Sequence, residues 1–276
     1  MNWTLKKTPP VGSICRSVGL LLGLIGLCPT MGLCGALTPA ITVSIEASAD
    51  TSLFEEGELS NGAGEYLFTG LIATGPERRA LLQYDLSAVP VGATVQAATL
   101  GVSVSRTISG TVSVRLHALR ASWGEGGVDA PGQEGTGAAA GTGDATWLER
   151  RLGSQPWSQP GGDFEAMESA RAGLRGNGRY EFSGVGLVAD VQRWVNEPSG
   201  NAGWILIGNP AAGFGSAKRL NSRENPDASS RPVLTVTYTA PPVVVTVPEA
   251  IPLGGRHWLM FLFVGIVSLA WRYANR

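Results

Sequence analysis

Arg78 and Arg79 stand together just ahead of the apolar run Ala80-Leu81-Leu82. Two neighbouring guanidiniums can fork onto the carboxylates of a uronate sugar, and they can equally be an ordinary surface pair. Their place before a buried-type strand predicts that at least one points outward. Arg223-Glu224 offers a similar choice between a ligand-contacting pair and a structural salt bridge. Trp147 and Trp157 carry flat indole faces that can cover the C–H patches of a pyranose, or can plug a core. Asp129, Glu134 and Asp144 lie in one loop and could gather a structural calcium ion from carboxylate oxygens. Their spacing matches no EF-hand, so a solvated loop is the competing reading. Asp50 is a second metal candidate. No other cofactor is expected.

Signals for catalysis are thin. There is no Gly-x-Ser-x-Gly elbow, no P-loop and no His-Glu-x-x-His. The two histidines, His117 and His257, fall in a predicted strand and near the C-terminal end, so no histidine cluster forms. Paired carboxylates such as Glu55 and Glu56, or Asp163 and Glu165, are too commonplace to indicate a glycosidase. The formal net charge is -1 and no basic stripe appears, which argues against nucleic acid. The chain reads as a non-enzyme.

The elements that must position these residues are mostly strands. Alternating patterns predict strands at Thr42 to Ile45, Tyr66 to Leu71, Ala80 to Tyr84, Thr99 to Val104 and Thr111 to Leu119. Further strands are predicted at Tyr180 to Phe182, Gly203 to Ile207, Lys218 to Arg223 and Val233 to Tyr238. In the fifth, Val112, Val114, Leu116 and Ala118 share one face. Leu187, Val191, Trp194 and Val195 have helical spacing, closed by Pro198. Trp194 and Trp204 read as core. Residues 124 to 145, rich in Gly, Ala and Thr, read as a surface loop. Many short strands and one short helix predict an all-β, jelly-roll-type β-sandwich over residues 41–239. A β-solenoid would need a fixed internal period, and none is present.

The two ends predict where this domain resides. Lys6, Lys7 and Arg16 precede an apolar run from Val18 to Leu27 and then small residues, the order of a signal peptide over residues 1–40. A buried helix is the alternative. A lipoprotein reading of Cys28 or Cys34 is weakened by the Leu before each. All three cysteines, Cys15, Cys28 and Cys34, lie in this presequence, so the mature domain would have no disulfide and no thiolate. A Pro/Val-rich linker spans 240–250. Residues 251–276 hold an apolar run from Trp258 to Trp271 with Arg272 and Arg276 beyond it. That predicts a slightly short membrane-spanning helix with a cytoplasmic C-terminus. With its Pro248-Glu249 and Ile251-Pro252-Leu253 segments, this tail resembles the PEP-CTERM and IPTL-CTERM sorting signals. The resemblance implies export to the surface of a Gram-negative bacterium and handling by an exosortase-like enzyme. A plain membrane anchor is the simpler alternative.

The domain itself resembles a known family. The ordered segments are Ala49-Asp50-Thr51-Ser52-Leu53, Arg78 to Leu86, Gly92 to Val95, Gly143 to Trp147, Trp157 to Phe164, Leu187 to Trp194, Ala217 to Glu224 and Arg231 to Val236. In this order they resemble a DNRLRE domain, a group classed as carbohydrate-binding module family 96. The name-giving motif is degenerate: Lys218 to Glu224 keeps only Ser222-Arg223-Glu224 well. The resemblance implies a β-sandwich that binds acidic or neutral polysaccharide at the cell surface. Two other classes stay open. One is a structural matrix or adhesion protein without sugar specificity, and the other is a polysaccharide hydrolase or lyase.

Overall fold

A computed structural model describes residues 39–241. The presequence, nearly all of the linker and the C-terminal apolar segment lie outside the described residues. Among the described residues no helix is long and apolar enough to cross a membrane.

The strands are β1 (Ala40–Phe54), β2 (Leu59–Ser60), β3 (Tyr66–Leu71), β4 (Glu77–Tyr84), β5 (Thr94–Thr107), β6 (Val112–Ala118) and β7 (Ala138–Ala139). They continue with β8 (Glu149–Arg151), β9 (Gln155–Pro156), β10 (Ala170–Leu174) and β11 (Gly178–Ser183). After the helix α1 (Val185–Asn196) come β12 (Trp204–Gly208), β13 (Lys218–Asn221) and β14 (Val233–Thr239). The chain is mostly β with one α-helix, as its alternating patterns predict.

Two antiparallel sheets face one another. One runs β1-β4-β12-β6-β10. The other is centred on β5, with β11 along one edge. β14 and β13 lie end to end along the opposite edge, β1 flanks β14, and β3 flanks β13. β1 belongs to both sheets: Ala40 to Glu46 pair with β14, and a bulge at Ala47/Ala49 hands the strand to β4. β3 changes sheets at Gly70, where φ is +104°. A side chain on Gly208 would come within 2.6 Å of the Gly70 Cα, so the crossing needs glycine on both strands.

The main core fills the space between the sheets. Val114, Leu116 and Ala118 of β6 face it, joining Leu100, Val102, Leu234 and Val236 from the other sheet, and Val112 on the same face is buried as well. Helix α1 adds Leu187, Val191, Trp194 and Val195. The rings of Trp194 and Trp204 lie 4.5 Å apart. The Trp204 indole donates to Asp190 Oδ2 at 3.0 Å, and Ser169 Oγ donates to the same oxygen. A carboxylate there satisfies two donors that burial would otherwise orphan.

A second core covers the outer face of the β4-β12 sheet. Leu53, Leu81, Ile205 and Ile207 point that way and are capped by Trp123, Trp147 and Trp157 from the long connection after β6. Both faces of β12 are therefore buried, which is why Trp204-Ile205-Leu206-Ile207 is apolar without alternation. That connection is not the purely surface loop predicted from its composition. Glu134, at 5% exposure and φ +61°, accepts from Asn61 Nδ2, Glu65 N and Tyr66 N, so a polar residue closes the turn before β3.

Candidate functional site

An open groove of about 340 Å³ lies where β3, β5 and β13 meet the loop at Gln133. Phe68, Ile72 and Ile108 give it apolar walls, and Arg106 and Arg219 flank it. Strand alternation sets Arg219 outward, and a bulge at Ser105 turns Arg106 out of the inward register of Val102 and Val104. In β13, Lys218 and Leu220 turn in, so Arg219 turns out. Arg219 lays its guanidinium over the Tyr66 ring at 3.7 Å and donates Nη1–H to Gln133 Oε1 at 2.7 Å. Arg106 donates to the same Oε1 at 3.1 Å. Among the described residues neither arginine forms an ion pair. Two cations thus converge on one neutral oxygen, with exposed N–H groups left for an anion. Beside them Ile108 is 79% exposed.

The wall that carries Ile108 is fixed from beneath by Lys218. Its side chain is fully buried, and its ammonium shares its three N–H groups among five oxygens at 2.7–3.3 Å: Thr107 Oγ1, Ser109 Oγ and the carbonyls of Ser109, Gly110 and Arg175. No carboxylate faces it among the described residues, and burial pulls its pKa below the ordinary lysine range.

The arginines and tryptophans singled out in the sequence lie elsewhere, and each has protein partners. Arg78 has a wholly buried side chain, bidentate on Glu56 at 2.5 and 2.6 Å and stacked on Phe54. Arg79 pairs with Glu77 at 2.9 Å, donates to Gly161 O and lies over the Trp147 ring at 4.7 Å. Neither arginine points outward as an unpaired fork, because the second core and its connection cover this end of β4. Trp147 and Trp157 are buried within that core, with the Trp157 indole donating to Thr146 O. Of the two alternatives for them, the core plug is what the fold builds.

Asp129, Glu134 and Asp144 do not gather at one point. Asp129 is exposed, Glu134 closes the β3 turn, and Asp144 accepts from Gly141 N. Asp50 instead meets Glu125 and Glu224, with one carboxylate oxygen of each within 4.8 Å of the others. Arg223 binds Glu125 through Nε at 2.6 Å and Nη2 at 3.0 Å, and its Nε lies 2.9 Å from Glu224. Burial is the main cause that raises Asp50 well above the usual carboxylate range, and the Glu224 charge adds to it. Burial raises Glu224 as well, partly offset by Arg223.

Arg106, Gln133, Arg219 and Glu125 were missed by residue-type reasoning. Arg219 had a signal, its outward register between Lys218 and Leu220. Gln133 and Glu125, in a low-complexity stretch, had none. A comparison with protein-family models finds no match to this chain, and a comparison with curated proteins finds none either.

Proposed function

We propose that this chain is an exported, surface-anchored, non-catalytic protein that binds polysaccharide, and that uronate-type carboxylates are held by Arg106 and Arg219. The carrying observation is the groove: two arginines without carboxylate partners beside an apolar wall of Phe68, Ile72 and the exposed Ile108. A guanidinium pair next to that wall suits a chain that alternates carboxylates with C–H faces. On this reading the two-sheet architecture is a jelly roll of the DNRLRE type. The presequence exports it, and the C-terminal segment sorts it to the surface through an exosortase-like enzyme.

The structural-matrix reading is less favoured by the sheet edges. β10 and β11 each form one edge of a sheet and carry Arg171, Arg179 and Glu181, charges that work against self-pairing there. The test is affinity electrophoresis of residues 39–241 in gels of alginate, pectin, a neutral glucan and no polymer. Retardation by the acidic polymers, lost in Arg106→Ala/Arg219→Ala and kept in Arg79→Ala, is the expected result. Equal mobility in every gel, with a folded protein, would overturn the reading.

A further inference from the structure

The geometry points to a divalent-cation site of the calcium class at Asp50, Glu224 and Glu125, tying together β1, the long connection and the turn after β13. It is independent of the groove and of any sugar ligand.

The argument begins with charge. Three carboxylates meet one guanidinium, so the cluster carries two uncompensated negative charges when ionised. Asp50 is 0% exposed, where uncompensated charge is costly. Its Oδ2 accepts from the Arg223 backbone N–H at 2.7 Å, whereas its Oδ1 has no partner. Glu224 Oε2 is likewise buried and unpartnered. Arg223 directs its Nε and Nη2 to Glu125 and to the other oxygen of Glu224, and forms no hydrogen bond with either orphaned oxygen.

A second observation comes from outside the acids. Tyr84 is 1% exposed and its hydroxyl has no partner. Asp50 pairs with Leu82, so strand alternation sets Asp50 and Tyr84 on the same face of the sheet. The orphaned oxygens of Asp50 and Glu224 thus lie at the cluster itself. The Tyr84 hydroxyl lies on the same sheet face, its pKa raised first by burial and then further by the nearby Asp50 charge. Every donor is a hard oxygen, with no nitrogen or sulfur ligand. That selects calcium, with magnesium or manganese as competitors, over zinc or copper. The partly exposed Glu125 and Glu224 leave a side through which waters can complete the six to eight ligands that calcium takes. A divalent ion would balance the two surplus charges. The competing arrangement is a proton shared between Asp50 and Glu224.

The experiment uses the full chain purified in detergent and stripped with a chelator. Calcium is titrated calorimetrically, with magnesium and manganese in parallel, and thermal unfolding is followed at each ion. Terbium luminescence, excited through nearby aromatic rings, gives a second readout. The expected result is one saturable calcium site and a Tm rise on the order of 5–10 °C at a hundredfold excess over Kd. Glu224→Gln should lose both while still folding, and Asp129→Asn should keep both. No saturable binding of any of the three ions by folded protein overturns the proposal. So does a Glu224→Gln variant that is more stable than the wild type at every calcium concentration, since a shared proton would then be what the pair holds.

Discussion

Replacing Lys218 by methionine removes an ammonium while keeping the length of its stem. Burying the charge has a cost, shown by its lowered pKa, and five oxygens offset it. In Lys218→Met the hydroxyls of Thr107 and Ser109, 3.2 Å apart, can bond one another. The carbonyls of Gly110 and Arg175, now 2.7 and 2.9 Å from Nζ, lose their donor. A buried acceptor left unpaired costs about 1–3 kcal/mol. Both loops are partly wetted, so the lower half of that range applies to each. The sum is a destabilisation of about 2–4 kcal/mol, or roughly 5–15 °C in Tm for a domain of this size. Scanning calorimetry reads it. Affinity for acidic polysaccharide should fall too, although Lys218 reaches no ligand, because the Thr107–Gly110 wall loses its support. The pH dependence follows in sign. A lysine whose folded pKa is depressed contributes stability above its unfolded pKa and loses it as pH falls through the folded value. Wild-type stability should therefore gain a rising component in the alkaline range that Lys218→Met lacks. A variant as stable as the wild type, with an unchanged alkaline slope, would refute the cage as a net stabiliser.

Other outcomes follow from the same geometry. Arg219→Ala should weaken binding of an acidic polysaccharide about 10- to 100-fold, the worth of one charge-assisted contact, and the residual binding should be less salt-sensitive in the affinity gel. Asp190→Ala should cost about 1–3 kcal/mol, read by urea unfolding, because the Trp204 indole N–H and Ser169 hydroxyl are left without an acceptor; near-ultraviolet dichroism from the Trp194–Trp204 pair should weaken as well. Gly203→Ala should lower Tm by several degrees, since φ there is +78° and a methyl would come within 2.1 Å of Leu82 O.

What was legible in the sequence follows from which faces are buried. Strands with one apolar face announced themselves: β3 was read over Tyr66–Leu71, and β6 had its buried face identified residue by residue. β1 was read only over Thr42 to Ile45, because Asp50, Thr51 and Ser52 look solvent-facing yet are buried. β10, Ala-Arg-Ala-Gly-Leu, has too little side chain to show a period. The site was harder still. Arg106 and Arg219 are far apart in sequence and become neighbours only because β13 pairs with the end of β5. Arg78 and Arg79 carry the more visible pattern, but Glu56 neutralises the first from across a turn and Glu77, two residues back on the same face of β4, neutralises the second. The Arg78–Glu56 pair depends on tertiary placement, which no local spacing encodes; the Glu77–Arg79 pair is written in the strand's own period.

The end-to-end arrangement of β13 and β14 along β5 has a mechanical consequence. Thr94 pairs with Thr239 at one end of β5, and Thr107 pairs with Lys218 at the other. Fourteen residues of strand put those ends roughly 40 Å apart. A tether pulling at Thr239 against a ligand held at Arg219 would load both junctions along the strand axis. Backbone hydrogen bonds strained in that direction share the force and must yield together. A pull between Ala40 and Thr239, which are direct partners, would open β1 from β14 one bond pair at a time. The same domain would thus resist drag on its groove far better than separation of its own two ends.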